Sequence, residues 1–311
     1  MNEGPPTGRA ADSVEHILRD ELARGDAVID GARPVLRYLL TGDGHSLFTE
    51  AMVTRVRGMV LDLAAQLLHA EAEAARVRDQ RRYVADRQDE LAARLTGEGA
   101  LLAHAQALVL EADLAERLQA QSGIDAVLPP LVQELAAESD EQVSALAMAV
   151  LAAQARFLQH GRRMELPLRE LPGDLFHAVL LVVRARGGDH AEAVELRLRA
   201  GYDEGESRLA LIARIVTGLG DRSGQALSID QAGPAIFASA LAEATRQERD
   251  RVVLSFPDGQ FARLLLSLRA AGLDQTAVGR QLLFLHPDHD LPGEFAEIDA
   301  DRAAALLAAA G

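Results

Sequence analysis

The 311-residue chain reads as all-α, either a HEAT-like helical-repeat array or a multi-helix bundle. Three observations predict this. Apolar residues recur at helical spacing along most of the chain, without the alternation of a strand. Short Gly, Pro or acidic turns separate the periodic segments. Helix–turn–helix units of roughly 30 to 45 residues follow one another, the length of helical solenoid repeats.

Residues 1–10 read as a disordered tail, and the first eight, with no basic flank and no apolar core, do not read as a signal peptide. Val14, Ile17, Leu18 and Leu22 share one helix face. A second segment carries Val35, Leu36, Leu39 and Leu40 and stops at Thr41-Gly42; Pro34 is expected to split it. Ser46 is the expected N-cap of the longest helix, with Glu50 in its first turns. Its stripe is Leu47, Met52, Val56, Met59, Val60, Leu63 and Leu67. Residues 71–87 are charged and poor in large apolar groups, so they read as an exposed helical extension or connector.

Further helices are predicted over 98–120, ended by Gly123, and over 124–137 and 141–159 as an antiparallel pair. Pro167 and Pro172 mark a loop, and Asp174 is the expected cap of 175–186. Helices over 192–200, 207–219, 230–245, 249–255, 260–271, 276–285 and 301–310 complete the chain. Pro234 falls in the first turn of its helix, where the missing N–H is harmless. The run from Arg251 to Phe256 is the best strand candidate; it reads as helix because no partner strand exists. By region, 11–95 is an N-terminal helical region and 96–311 a helical-repeat region, or the two form one continuous domain, with a boundary or hinge expected across 71–88.

Composition narrows the function. Apolar residues make up 49% and charged residues 25%, enough for a packed core. All 32 basic residues are Arg, and Asn occurs once; with the high Ala content this is the mark of GC-rich coding. A net charge of −15 argues against nucleic acid as a partner, because phosphate binding needs a basic face. The absence of Cys removes disulfides, thiolate nucleophiles and Cys-ligated metals. No apolar run approaches the roughly 20 residues that span a bilayer, so no membrane partner is expected and the location is read as cytoplasmic.

Four groups of residues are candidate sites. His286, Asp288, His289 and Asp290 are imidazoles and carboxylates close in sequence, a donor set that suits zinc; the plainer reading is a polar loop. Arg78, Arg81, Arg82 and Tyr83, within a cluster that includes Arg76 and Arg87, could bind phosphate or an acidic partner. Interleaved acids make a helix laced with i,i+4 pairs the stronger alternative. Arg162 and Arg163 form a second basic pair. His69 and His104 sit on long helices, where an exposed imidazole can carry a phosphoryl group. The loop from Gly218 to Gly224 lacks the spacing of a dinucleotide fingerprint and the Lys of a P-loop, so it reads as a helix C-cap and turn. No nucleophile elbow or His-Glu-x-x-His pair is present, and no cofactor is implied.

The run from Leu101 through Glu111 to Gln119 resembles a family of uncharacterised helical proteins from GC-rich alphaproteobacteria. So do Leu151 to Phe157 and Arg162 to Leu168, continuing from Glu170 to His177. The likeness spans residues 98–180. It implies an all-helical, bacterial, cytoplasmic protein and carries over no functional residue.

These readings favour a non-enzymatic scaffold or regulatory adaptor that binds a protein partner, since helical arrays expose long faces. An acidic surface steers basic partners towards it. The alternatives are a metal-binding protein or metal-dependent hydrolase using 286–290, and a histidine phosphotransfer bundle using His69 or His104.

Overall fold

The computed structural model describes residues 7–41, 49–187 and 190–310. Among them it contains sixteen α-helices and no strand. In chain order these are α1 (Thr7–Thr41), α2 (Glu50–Ala74), α3 (Gln80–Ala85), α4 (Gln88–Leu95), α5 (Gly99–Ser122) and α6 (Pro130–Ala136). Next come α7 (Glu141–Arg163), α8 (Gly173–Arg186), α9 (Ala191–Ala200), α10 (Arg208–Gly218) and α11 (Ser223–Ala226). The last are α12 (Ile229–Thr245), α13 (Arg249–Val253), α14 (Phe261–Ala270), α15 (Gln275–Leu285) and α16 (Ala300–Ala310). The all-α prediction holds, and among the described residues no helix is long and apolar enough to cross a membrane.

The chain divides into two compact units, each drawn from separated stretches. A central unit takes Arg33–Asp113 and Gln133–Gly218; a terminal unit takes Met1–Ala32, Leu114–Val132 and Leu219–Gly311. The division expected at 95/96 therefore falls inside the central unit. Of the expected tail, residues 1–6 lie outside the described residues, whereas 7–10 are helical and open α1.

The central unit is built on α2. Thr49 caps it, its hydroxyl accepting from the Met52 N–H at 3.3 Å; the predicted cap, Ser46, lies outside the described residues. Its predicted stripe is buried from Val56 through Leu67 and joins one core with Leu91, Leu95, Leu101, Leu102, Phe176 and Val179. Of residues 71–87, 71–74 finish α2 and the rest do not extend it. Arg76 adopts a left-handed φ of 52°, and the Val77 N–H returns to the Ala72 carbonyl at 2.8 Å, which ends the helix. α3 and α4 then fold back along α2, burying Val84, Leu91 and Leu95. The stretch expected as an exposed extension or connector is exposed or half-buried along most of its length, a connector followed by the short α3, with Val84 as the buried anchor of that helix.

The terminal unit is built on α14, whose Leu264, Leu265, Leu266 and Leu268 are all buried, against α12, α15 and α16. Val14, Leu18, Leu22 and Ile29 of α1 are also buried. α1 runs unbroken through Pro34: the ring deletes one N–H donor but its fixed φ is compatible with a helix. α12 bends at Gly233, where φ is 67°, and Pro234 starts its second stretch, as its first-turn reading anticipated. The helix predicted over 124–137 shrinks to α6. The Asp125 carboxylate accepts from the N–H groups of Val127 and Leu128 at 2.8 and 3.0 Å, a turn that delays the helix until Pro130.

Candidate functional site

α3 presents the basic group found in the sequence. Asp79 caps it by accepting from the Arg82 N–H at 3.0 Å. Arg78, Arg81 and Arg82 are exposed, and Arg82 lies 3.7 Å from Asp86. Tyr83 turns inward instead. Its hydroxyl donates to Glu71 Oε2 at 3.3 Å, and the Arg87 guanidinium lies 4.1 Å over its ring. Glu71 is itself buried and also takes an ion pair from Arg186. Tyr83 therefore anchors α3 and leaves the three arginines as the displayed group. Arg162 and Arg163 are exposed at the C-terminal end of another helix, α7, where cations complement the helix dipole.

A second cluster, not anticipated from sequence, lines a small cleft in the central unit with a volume of about 30 Å³. Its polar lining is His160, Glu165, Glu170 and Arg208; Met59, Leu108, Phe157 and Leu166 supply the apolar part. His160 Nδ1 is 2.7 Å from Glu165 Oε2. Beside them Asp62 accepts from the Leu166 N–H at 2.8 Å and from Gln66 Nε2 at 2.7 Å. Burial pushes the Asp62 carboxyl above its ordinary value, and those two hydrogen bonds oppose the shift. Arg208 is almost fully buried. It donates two hydrogen bonds to Glu111 (2.5 and 3.1 Å) and one to Gln154 Oε1 (3.0 Å), and stacks 3.7 Å over Phe157. The Glu170 carboxylate accepts its backbone N–H at 2.8 Å. These partners lie 38 to 97 residues from Arg208 in sequence, so no local spacing announces them.

The cluster can hold charge in a half-apolar setting, but its charged members are paired with one another or with the backbone. Arg208 is neutralised by Glu111, and the Asp62 and Gln66 side chains grip the backbone at Leu166 and Leu168. Its evident role is to fasten the 164–171 segment to α2 and α10.

The four metal candidates do not converge. His286 is buried, whereas Asp288, His289 and Asp290 are exposed. Among the described residues, no group of three His, Cys, Asp or Glu side chains is placed to hold a metal ion. The histidines instead form a ring cluster with Phe261: His289 lies 4.7 Å from it at a 34° tilt, and His286 packs edge-on at 5.4 Å. The chain reversal after α15 that separates the carboxylates from His286 is invisible to spacing alone.

Of the phosphotransfer candidates, His69 is exposed on α2, whereas His104 is 1% exposed within α5. The loop after Gly218 is a turn leading into α11, with Gly220 at a φ of 53°. Comparison with known proteins finds no matching family, no matching curated protein and no matching solved structure.

Proposed function

We propose that this chain is a helical scaffold or regulatory adaptor that recognises an acidic segment of a partner protein through Arg78, Arg81 and Arg82. The observation that carries this reading is the outward display of Arg81 and Arg82 on a short helix held from behind by Tyr83, with exposed Arg78 just before its cap, on a chain of net charge −15. Exposed guanidiniums on a net-acidic chain match carboxylates bidentately, although Arg82 already lies near Asp86. Arg162 and Arg163 are a second contact in the same reading. A cytoplasmic location, a repeat-like helical architecture and kinship with the alphaproteobacterial proteins belong to this proposal too.

The test is affinity capture from native cell extract at physiological salt, run in parallel with the triple variant Arg78→Glu, Arg81→Glu, Arg82→Glu. A stoichiometric protein held by the unaltered chain and lost from the folded variant supports the reading. A partner retained equally by both sinks it.

A further inference from the structure

α1 lies on the terminal unit along one narrow stripe. Val14, Leu18, Leu22, Gly25, Asp26 and Ile29 are buried, and all the remaining residues from His16 to Gly31 are exposed. Steps of three and four residues place the buried set on one helix face. Two acids mark that stripe. Half-buried Glu15 accepts from Arg302 of α16, its Oε2 from Nε at 2.8 Å. Asp26, eleven residues and three turns on, is buried and pairs with Arg263 of α14 and, at 3.4 Å, with Arg251 of α13. Leu18 and Leu22 lie between the two acids on the buried face, and Ile29 lies beyond them. α1 therefore meets the terminal unit as an acidic amphipathic helix meets a basic receptor.

The receptor side is more basic than α1 satisfies. Two guanidiniums share the one buried carboxylate, and Arg263 is only 2% exposed. Burial holds Arg263 below the ordinary arginine value; Asp26 opposes that shift, and the like charge of Arg251 adds to it. Exposed Asp30, one turn beyond Asp26, gives a weaker compensation. Asp26 Oδ2, Arg263 Nε and Arg251 Nε have no hydrogen-bond partner among the described residues. Buried polar atoms left unmet are costly, so α1 is held less firmly than its ion pairs suggest. A second α1 offered from another chain has no better contacts than the one in place, which shares the chain and so competes at an effective concentration on the order of millimolar. A helix that also satisfied the surplus guanidinium would displace it.

We propose that α1 is the internal occupant of a docking seat marked by Arg251, Arg263 and Arg302, and that the seat's external occupant is an acidic amphipathic helix of a partner protein. That helix carries carboxylates eleven residues apart, leucine or isoleucine on the same face, and a further carboxylate for the second guanidinium. Seated α1 keeps the face closed until such a helix replaces it. The seat belongs to the terminal unit and does not depend on the reading of the α3 arginines.

Two measurements on the full-length chain test this. Hydrogen exchange of the unaltered protein should free the α1 amides of residues 14–29 before those of α14, a local opening that precedes global unfolding. Exchange of both segments in one step would overturn the proposal, whatever any variant does. The second probe is a fluorescein-labelled peptide of residues 11–32, followed by anisotropy. Asp26→Asn loosens α1 in place; with its fold verified by circular dichroism, this chain should bind the peptide saturably and roughly tenfold or more tighter than the unaltered chain does. A peptide that itself carries Asp26→Asn should bind roughly thirtyfold more weakly or worse, the loss from leaving a buried charge unpaired. No saturable binding by the folded variant, or equal binding of the two peptides, would sink the proposal. A concentration-dependent dimer of the unaltered chain, abolished by Asp26→Asn, would assign the seat to a second copy and overturn the partner reading.

Discussion

Arg208 shows what a single buried charge demands of its surroundings. Taking a guanidinium out of water is tolerable only with close pairing, and Glu111, Gln154 and the Phe157 ring provide it. Glu111→Gln would leave the guanidinium buried against a neutral amide. The expected loss is about 3 to 5 kcal/mol, read as a lower urea midpoint at unchanged slope. Asp62 responds to pH in the opposite sense to an ordinary salt-bridged carboxylate. Its folded-state value is raised, so it binds its proton more tightly folded than unfolded. Its contribution is therefore complete below the ordinary value of 3.8 and is lost as pH rises through the folded value. Asp62→Asn, which can still accept from Leu166, should gain stability relative to the unaltered chain between pH 4 and pH 7. A difference that stays flat or shrinks over that window would refute this.

At the scale of elements, two glycines show close packing overruling helix propensity. Gly58 lies inside α2, where Ala would ordinarily be the better helix former by roughly 1 kcal/mol. A Cβ there would stand 2.5 Å from the Met164 Cβ, which is fixed to its own backbone and cannot swing aside. Gly58→Ala should therefore destabilise, by about 1 to 3 kcal/mol, and lower the melting temperature. Gly233 is constrained by φ as well as by space. At 67° an L side chain is strained, and the Pro129 Cγ sits 3.2 Å from the added Cβ. Gly233→Ala should cost about 1 to 2 kcal/mol from the backbone alone, measurable by denaturant unfolding. Helix existence was legible along the chain because burial imposes its period on the residues. Ends were less legible: the start of α6 is set by the Asp125 turn, and the end of α2 by the left-handed Arg76.

At the scale of the whole molecule, charge governs association. With 47 acids against 32 arginines, the chain's long-range field is negative, and the arginines at and before α3 are exposed among interleaved acids. A contact between exposed charges weakens as the screening length shortens from about 8 Å at physiological salt to about 3 Å at 1 M. Capture through this face should therefore fall steeply between those salt concentrations. A partner held equally well at 1 M salt would point to an apolar contact instead.

The sequence by itself determined the fold class, the helix faces and the residues of the α3 basic group, because helical period and local charge are properties of neighbours in the chain. Only the tertiary structure decided which charged groups are displayed and which are consumed. Tyr83, Glu71 and Arg186 close an inward network that leaves Arg78, Arg81 and Arg82 outside. The 286–290 loop presents its histidines as rings against Phe261 and its carboxylates to water. Arg208 meets Glu111 across 97 residues. Such pairings follow from how helices pack, and packing depends on every face at once, which no local spacing records.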